Sequence, residues 1–397
     1  MKADINETLQ AGGDAAVRAR LDEANKYSAI NETLDVFDRW LIMPDPTPIY
    51  ATLGTVAANL LPGDPVWLGI VGPPSSAKTE LLNSVSKLPY VHQAATLTPA
   101  GLLSGTAQKQ RESGARGGLL KEIGDFGIIT VKDFGSILSM RPDAKAEALA
   151  ALREVYDGSW TRVLGTGGGK SLSWKGKVGL LFAVTGVIDD HHGVIGSMGD
   201  RFLLSRLAPA SAGQFEFALK HVGATGGKMR KELAEAVAAL FDSKRADPQP
   251  ISEDEIARIG RVISLVVRLR GAVGRDRYSR EMETVYGAEG TARIGLALER
   301  LLAGLDVLGV ERGTALAVVE TVALDSVPPL RRQAYEHLHR ARDLTGGFAM
   351  LTTADVAQSL RLPTNSVRRI LEDLAAYDLV QREGKGKGKS DEWRARS

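Results

Sequence analysis

The chain has 397 residues, 44% hydrophobic and 25% charged, with a formal net charge of +2. That length suits roughly two or three domains, and the charge balance excludes a global field for nucleic acid, so any such contact must come from local clusters. There is no cysteine, which excludes disulfides and thiolate-ligated metals; no apolar run reaches the about 18 residues that span a bilayer, and the polar first residues lack a signal-peptide core, so a cytoplasmic protein without membrane contact is expected.

Residues 1–60 are expected as an N-terminal helical lead-in. They are polar to about residue 30, then give a short helix, a turn broken by Pro44, Pro46 and Pro48, and a second helix. VWLGIVG (66–72) is a short continuous apolar run, the pattern of a buried parallel strand. Similar runs recur at GIITV (127–131) and GLLFAVTG (179–186) with helical patterns between them. Residues 61–212 are therefore expected as an α/β core, a parallel sheet covered on both faces. Residues 213–327 read as long amphipathic helices with no convincing strand, a helical lid, and 328–397 as a small helix-rich unit with a basic tail.

Gly72-Pro73-Pro74-Ser75-Ser76-Ala77-Lys78-Thr79 follows the first strand and opens the helix TELLNSVSKL. The pattern is that of a P-loop, G-x-x-x-x-G-K-S/T, with Ala77 in place of the second glycine. The physics survives the change: backbone N–H groups and the helix N-terminus bind phosphates, Lys78 reaches the β- and γ-phosphates, and the Thr79 hydroxyl ligates Mg2+. ATP and Mg2+ are the expected ligands. GIITV runs into Lys132 and Asp133. Asp133 is a candidate to hold Mg2+ through water, to orient the attacking water, or both; the alternative is a helix N-cap. Thr185, at the tip of the third strand, is a candidate contact to the γ-phosphate or its water. Asp189 and Asp190 follow closely and are expected to cap a loop. Arg201, in Gly199-Asp200-Arg201-Phe202, suits a finger inserted into a neighbouring subunit's ATP site; the alternative is a surface pair with Asp200.

Together these residues resemble the AAA+ core of the minichromosome-maintenance helicase family and its bacterial mobile-element relatives. GPPSSAKTELL matches that family's form G-x-P-x-x-A-K-S-x-L-L, which also has alanine before the lysine. The resemblance covers roughly residues 60–310 and implies an AAA+ P-loop core with a helical lid, working as a homo-oligomeric ring. It implies the finger role for Arg201. Through GTARIGLALERLLAGLDVL it implies a second sensor arginine at Arg293, and it puts Thr185 where the family has a sensor asparagine. Two departures stand out: the family's Asp-Glu pair is Lys132-Asp133 here, and its N-terminal oligonucleotide-binding and zinc domain has no counterpart in the first 60 residues.

TRVLG and SLSWKG flank Thr-Gly-Gly-Gly-Lys and read as a β-hairpin with Lys170 near its tip. The family carries a pore hairpin at this position, which implies a ring of lysines gripping single-stranded DNA; the alternative is a solvated hairpin with an ordinary lysine. The basic, glycine-punctuated stretch at 106–118, with Lys109, Arg111 and Arg116, is either a second pore loop or a surface loop. From residue 352 the pattern is helix, turn at Leu362-Pro363, helix, strand DLVQRE, turn GKGKGKS and strand EWRAR, a winged helix-turn-helix. Asn365, Ser366, Arg368 and Arg369 fall near the start of its second helix, where duplex DNA is read. Lys385, Lys387 and Lys389 lie on the wing as phosphate contacts. The expected function is an ATP-driven DNA helicase or translocase serving replication of a mobile element. The alternative is a DNA-binding ATPase switch, such as an initiator or loader, without processive unwinding.

Overall fold

The structure, a computed structural model, describes residues 29–104, 118–163, 171–191, 201–209, 225–243, 246–276, 278–279, 281–288, 290–346, 349–384 and 391–396, with 13, 213, 216 and 217 as isolated positions. Lys170, the wing residues Lys385, Lys387 and Lys389, the loop residues Lys109, Arg111 and Arg116, and Asp200 lie outside the described residues.

The lead-in gives α1 (Ala29–Trp40) and α2 (Thr47–Leu60). The prolines part them, and Pro48 sits in the first turn of α2, where no N–H is missed. β1 (Trp67–Val71) is buried along its whole length and leads into α3 (Lys78–Ser84). The chain continues through β2 (Val91–Ala94), α4 (Pro99–Leu102), α5 (Leu119–Ile123), β3 (Phe126–Val131), α6 (Gly135–Leu138) and α7 (Pro142–Tyr156). An antiparallel hairpin follows, β4 (Ser159–Val163) with β5 (Ser171–Lys175). β6 (Lys177–Val184), α8 (Val187–Asp190) and β7 (Phe202–Arg206) complete the core.

The five strands β2-β3-β6-β1-β7 form one parallel sheet in that order. The continuous apolar runs follow from this: a parallel strand covered on both faces has no wet side. Gly69, mid-β1, leaves room for a neighbour; a Cβ there would lie 2.5 Å from the Phe182 ring. That ring stacks 4.2 Å from Phe134 and meets Phe202 edge-on. β7 is an edge strand, and its outward N–H groups are taken by side chains. Leu204 N–H donates to Ser326 Oγ (2.9 Å) and Arg206 N–H to Asp325 Oδ2 (2.8 Å), so that edge is closed to other strands.

Beyond the core come α9 (Gly226–Asp242) and α10 (Glu253–Leu269), the latter started by a capping box between Ser252 and Glu255. The strands β8 (Val273–Arg275) and β9 (Met282–Val285) then pair as a hairpin. This corrects the expectation of a strandless lid: the strands are only three and four residues long, too short for a run of alternating apolar residues to mark them. α11 (Thr291–Val307) and α12 (Arg312–Asp325) close the region. α2 is buried on nearly every side. It lies against α11 so closely that a Cβ on Gly304 would stand 2.2 Å from the Gly54 carbonyl.

The last unit contains α13 (Pro329–Leu344), β10 (Leu351–Thr352), α14 (Thr353–Leu360), α15 (Thr364–Ala376), β11 (Val380–Glu383) and β12 (Glu392–Ala395). Its three strands form an antiparallel sheet in the order β10-β12-β11. Thr352 and Asp355 cap α14 reciprocally, and Arg361 ends it in the left-handed region at φ 55°. Trp393 is fully buried, its indole N–H donating to Thr353 Oγ1 (2.8 Å) and tying the sheet to α14.

Candidate functional site

The loop between β1 and α3 leaves the carboxyl edge of the sheet, where ligands of open parallel sheets sit. The carbonyl of Val184 on β6 accepts from Gly72 N–H (3.1 Å), and the carbonyl of Val71 accepts from Leu207 N–H (2.8 Å), so both neighbouring strands fix the loop's root. A Cβ on Gly72 would lie 2.6 Å from Ser76 Oγ and 3.0 Å from Leu207 Cβ, so a side chain there would displace the Ser76 hydroxyl that the loop folds over it. Ser75 and Ala77 both adopt left-handed backbone, at φ 62° and 65°. Ala77 thus holds the conformation for which a glycine is the default.

Lys78 opens α3 and folds back over the loop. Its ammonium donates to the carbonyls of Gly72 (2.7 Å) and Pro73 (2.5 Å) and to Ser76 Oγ (3.2 Å). Burial lowers its pKa from the ordinary lysine value. Pro73, Pro74, Ser75 and Thr79 are exposed, while Ser76, Ala77 and Lys78 are half-buried. A half-buried cation at the mouth of an exposed loop, with the N–H groups of residues 75–79 leading into a helix, can hold a phosphate chain.

β3 stands two places from β1, with β6 between them. At about 4.8 Å per strand, Asp133 enters from about 10 Å to one side of the loop. Phe134 N–H donates to the Ala183 carbonyl (2.9 Å), which lays residues 132–134 across the carboxyl end of β6. Asp133 and Lys132 are both exposed. α6 has no side-chain cap, so Asp133 does not cap it. Thr185 is exposed at the tip of β6, between loop and acid.

Two pairings at this edge went unread in the sequence. Asp189 does not cap a loop, as was expected of it. Its carboxylate accepts both arms of Arg206 (2.8 and 3.0 Å), and Arg206 Nε donates to the Asp325 carbonyl. Glu80 on α3 takes Arg230 of α9 in a two-point ion pair, with Nε–Oε2 3.0 Å and Nη2–Oε1 2.9 Å, which ties the first lid helix to the loop helix. Both partners are far apart in sequence, and no local pattern marks them.

Arg201 and Arg293 stand elsewhere. Arg201 precedes β7, whose first residue is in register with Trp67, the first of β1. It therefore lies at the amino edge of the sheet, a strand length from the loop. Its guanidinium donates to both oxygens of Asp157 (2.9 and 3.0 Å) and lies 5.1 Å over the Tyr156 ring. Burial raises the Tyr156 pKa, and the charges of Arg201 and Arg293 both act against that rise. Arg293, exposed in the first turn of α11, is thus near enough to Tyr156 for its charge to be felt there. Nearby Lys177 is held down to about 8, first by burial and then by the charge of Arg300.

On the C-terminal unit Asn365, Arg368 and Arg369 are exposed along the start of α15, and Ser366 is half-buried. Arg368 pairs with Glu372 one turn on (3.0 Å).

Among the described residues no helix is long and apolar enough to cross a membrane. No protein family matches the chain, and no curated protein does. Among solved structures, an A-form apo structure of the NrS-1 C-terminal region is 12% identical with a TM-score of 0.32, covering 92% of this chain and 74% of that one. A second structure of the same region, residues 305–718, is 10% identical with a TM-score of 0.27 over the same shares.

Proposed function

We propose that this chain is an ATP-hydrolysing, ring-forming DNA motor of the AAA+ type, related to the minichromosome-maintenance helicases. The observation that carries the proposal is the loop of residues 72–79 between β1 and α3. It has two left-handed residues, a glycine cradle and a lysine folded over it, with Asp133 and Thr185 on the same sheet edge. In this proposal the loop's N–H groups and Lys78 hold the triphosphate of ATP. Thr79 and Asp133 hold Mg2+, which when bound neutralises charge on the phosphoryl group in transfer. Asp133 and Thr185 orient the attacking water. Arg201, at the opposite sheet edge, and Arg293 belong to the site of the next subunit, the arrangement a head-to-tail ring provides.

The helix–turn–helix α14–α15 with its three-stranded sheet has the order of a winged helix. We assign it to duplex DNA, with Asn365, Ser366, Arg368 and Arg369 at the groove and Lys385, Lys387 and Lys389 on phosphates. Lys170, beyond the strands β4 and β5, is assigned to single-stranded DNA in the ring's pore.

The exposed Lys132 beside Asp133 favours a second function, a DNA-binding ATPase switch without processive unwinding, because one carboxylate then serves where two are usual. Lys78→Ala is the test of the site: hydrolysis of ATP should fall at least a hundredfold, since the loop's cation acts on the phosphates throughout the reaction. Near-normal turnover excludes the assignment. Strand displacement on a forked substrate separates motor from switch: rings that hydrolyse ATP but never displace a strand are switches.

A further inference from the structure

The β8–β9 hairpin is bound along α15 rather than standing free. At its root, the Tyr377 hydroxyl just past α15 donates to the carbonyls of Ala272 (2.6 Å) and Tyr286, one from each side of the hairpin. A Cβ on Gly271 would lie 2.1 Å from the Tyr377 ring, so the chain passes that ring in direct contact. Further along, Arg275 donates to Glu372 (3.1 Å), to Asp373 (2.5 Å) and to the Arg369 carbonyl (2.9 Å). Arg331 holds the other oxygen of Asp373 (2.9 Å).

These contacts give the hairpin's direction. From Tyr377 to the middle of the Arg275 contacts is about six residues of helix, or about 9 Å. From Ala272 to Arg275 is about three residues of strand, or about 10 Å. The two run side by side. Past Arg275 the hairpin therefore heads toward the start of α15, the end that carries Asn365.

The tip is built to hold one ring outward. Asp276 Oδ1 accepts from the N–H groups of Tyr278 (2.9 Å) and Ser279 (2.5 Å), and Asp276 N–H donates to the Glu281 carbonyl (2.9 Å). Tyr278 is 91% exposed, the most exposed large hydrophobic residue among those described. Among the described residues the ones nearest it in the turn, Asp276 and Ser279, are polar, and the hairpin's other exposed large apolar side chains, Val285 and Tyr286, stand at its root. Along this side of α15, Arg275, Arg331 and Arg368 face the carboxylates Glu372 and Asp373. The exposed Arg368 and Arg369 near the start of α15 suit a polyanion.

We infer that the hairpin is a second DNA-contacting element, which places the Tyr278 ring on an unpaired base next to the duplex held by α15. The inference rests on the assignment of α15 to duplex DNA. A lone ring on a narrow tip needs an open base face, and inside a duplex both faces of each base are covered by neighbours. A base in the single strand leaving the duplex has that face free, and stacking on it tolerates any sequence.

The test is binding of the full chain to a blunt duplex and to the same duplex with a single-stranded extension, for wild type, Tyr278→Ala and Tyr278→Phe. Because the ring is exposed, neither substitution disturbs packing. Wild type should bind the extended duplex more tightly than the blunt one. Tyr278→Ala should lose roughly five- to a hundredfold on the extended duplex and nothing on the blunt duplex. Tyr278→Phe, which keeps the ring, should retain the difference. Equal loss on both substrates, or no loss on either, overturns the inference while leaving duplex binding by α15 intact. Failure of the wild type to bind the blunt duplex removes the assignment of α15, and the inference falls with it. Loss of self-association in Tyr278→Ala with unchanged DNA binding shows a protein contact and overturns it too.

Discussion

Ala77 holds a left-handed backbone at φ 65° immediately before Lys78. A Cβ in that region costs about 1–2 kcal/mol. Replacing Ala77 with glycine removes this cost but loosens the unfolded chain by about 0.4–1 kcal/mol. Ala77→Gly should therefore raise stability slightly, by about 0.5 kcal/mol in denaturant unfolding, with ATP binding unchanged. A loss of about 1 kcal/mol or more would mean that the methyl group makes contacts worth more than the strain. At this scale the sequence is readable where function is local. The residues 72–79 sit in one loop, and the strand–loop–helix order expected of them is the one they adopt. Arg206 was not readable. Its partners Asp189 and Asp325 are 17 and 119 residues away, and only the fold brings them to one strand end. Asp189 was accordingly expected at a loop cap.

Helices α2 and α11 meet backbone to backbone. A Cβ at Gly304 would lie 2.2 Å from the Gly54 carbonyl and 2.7 Å from the Ala58 nitrogen, neither of which can yield without moving a helix. A Cβ at Gly54 would meet the ends of Leu305 (2.8 Å) and Leu301 (3.1 Å), which can turn aside. Gly304→Ala should thus cost more than Gly54→Ala, about 3 against about 1 kcal/mol, in parallel unfolding measurements. Equal costs would show that the helices slide apart freely. Periodicity served well for elements with one wet face, such as α10 and α15, and for the apolar strands β1, β3 and β6. α2, which has no wet face to give it a stripe, was still legible as a helix after the proline turn. Periodicity failed for β8 and β9, too short to alternate, and for β10, whose two residues merge with the cap of α14. The hairpin β4–β5 was legible from its glycine-rich centre, which no strand would carry.

The molecule as a whole separates Arg201 from the loop of residues 72–79. Lys78 and Asp133 lie at the carboxyl edge of the sheet, while Arg201 lies at the amino edge, about 16 Å away along a five-residue strand. An arginine so placed cannot reach a phosphate on its own chain's loop. Its two hydrogen bonds to Asp157 hold it in a fixed pose at that edge, with its side chain largely buried. If it completes the next subunit's site, Lys78→Ala and Arg201→Ala should each abolish hydrolysis alone, for different reasons. Mixing them then restores function wherever an Arg201→Ala subunit, with its intact loop, meets a Lys78→Ala neighbour, with its intact finger. In a ring of head-to-tail contacts filled at random from an equal mixture, about a quarter of the interfaces have this pairing. Hydrolysis should rise to the order of that fraction of wild type, and it should grow with protein concentration as rings assemble. The control is circular dichroism and particle images of each variant, since Arg201 also supports Asp157 and Tyr156. If both variants are folded, form rings and are inactive alone, and the mixture stays inactive, Arg201 does not act across the interface. If Arg201→Ala alone keeps full activity, its pair with Asp157 is structural, and the completing arginine must be sought beside it at Arg293.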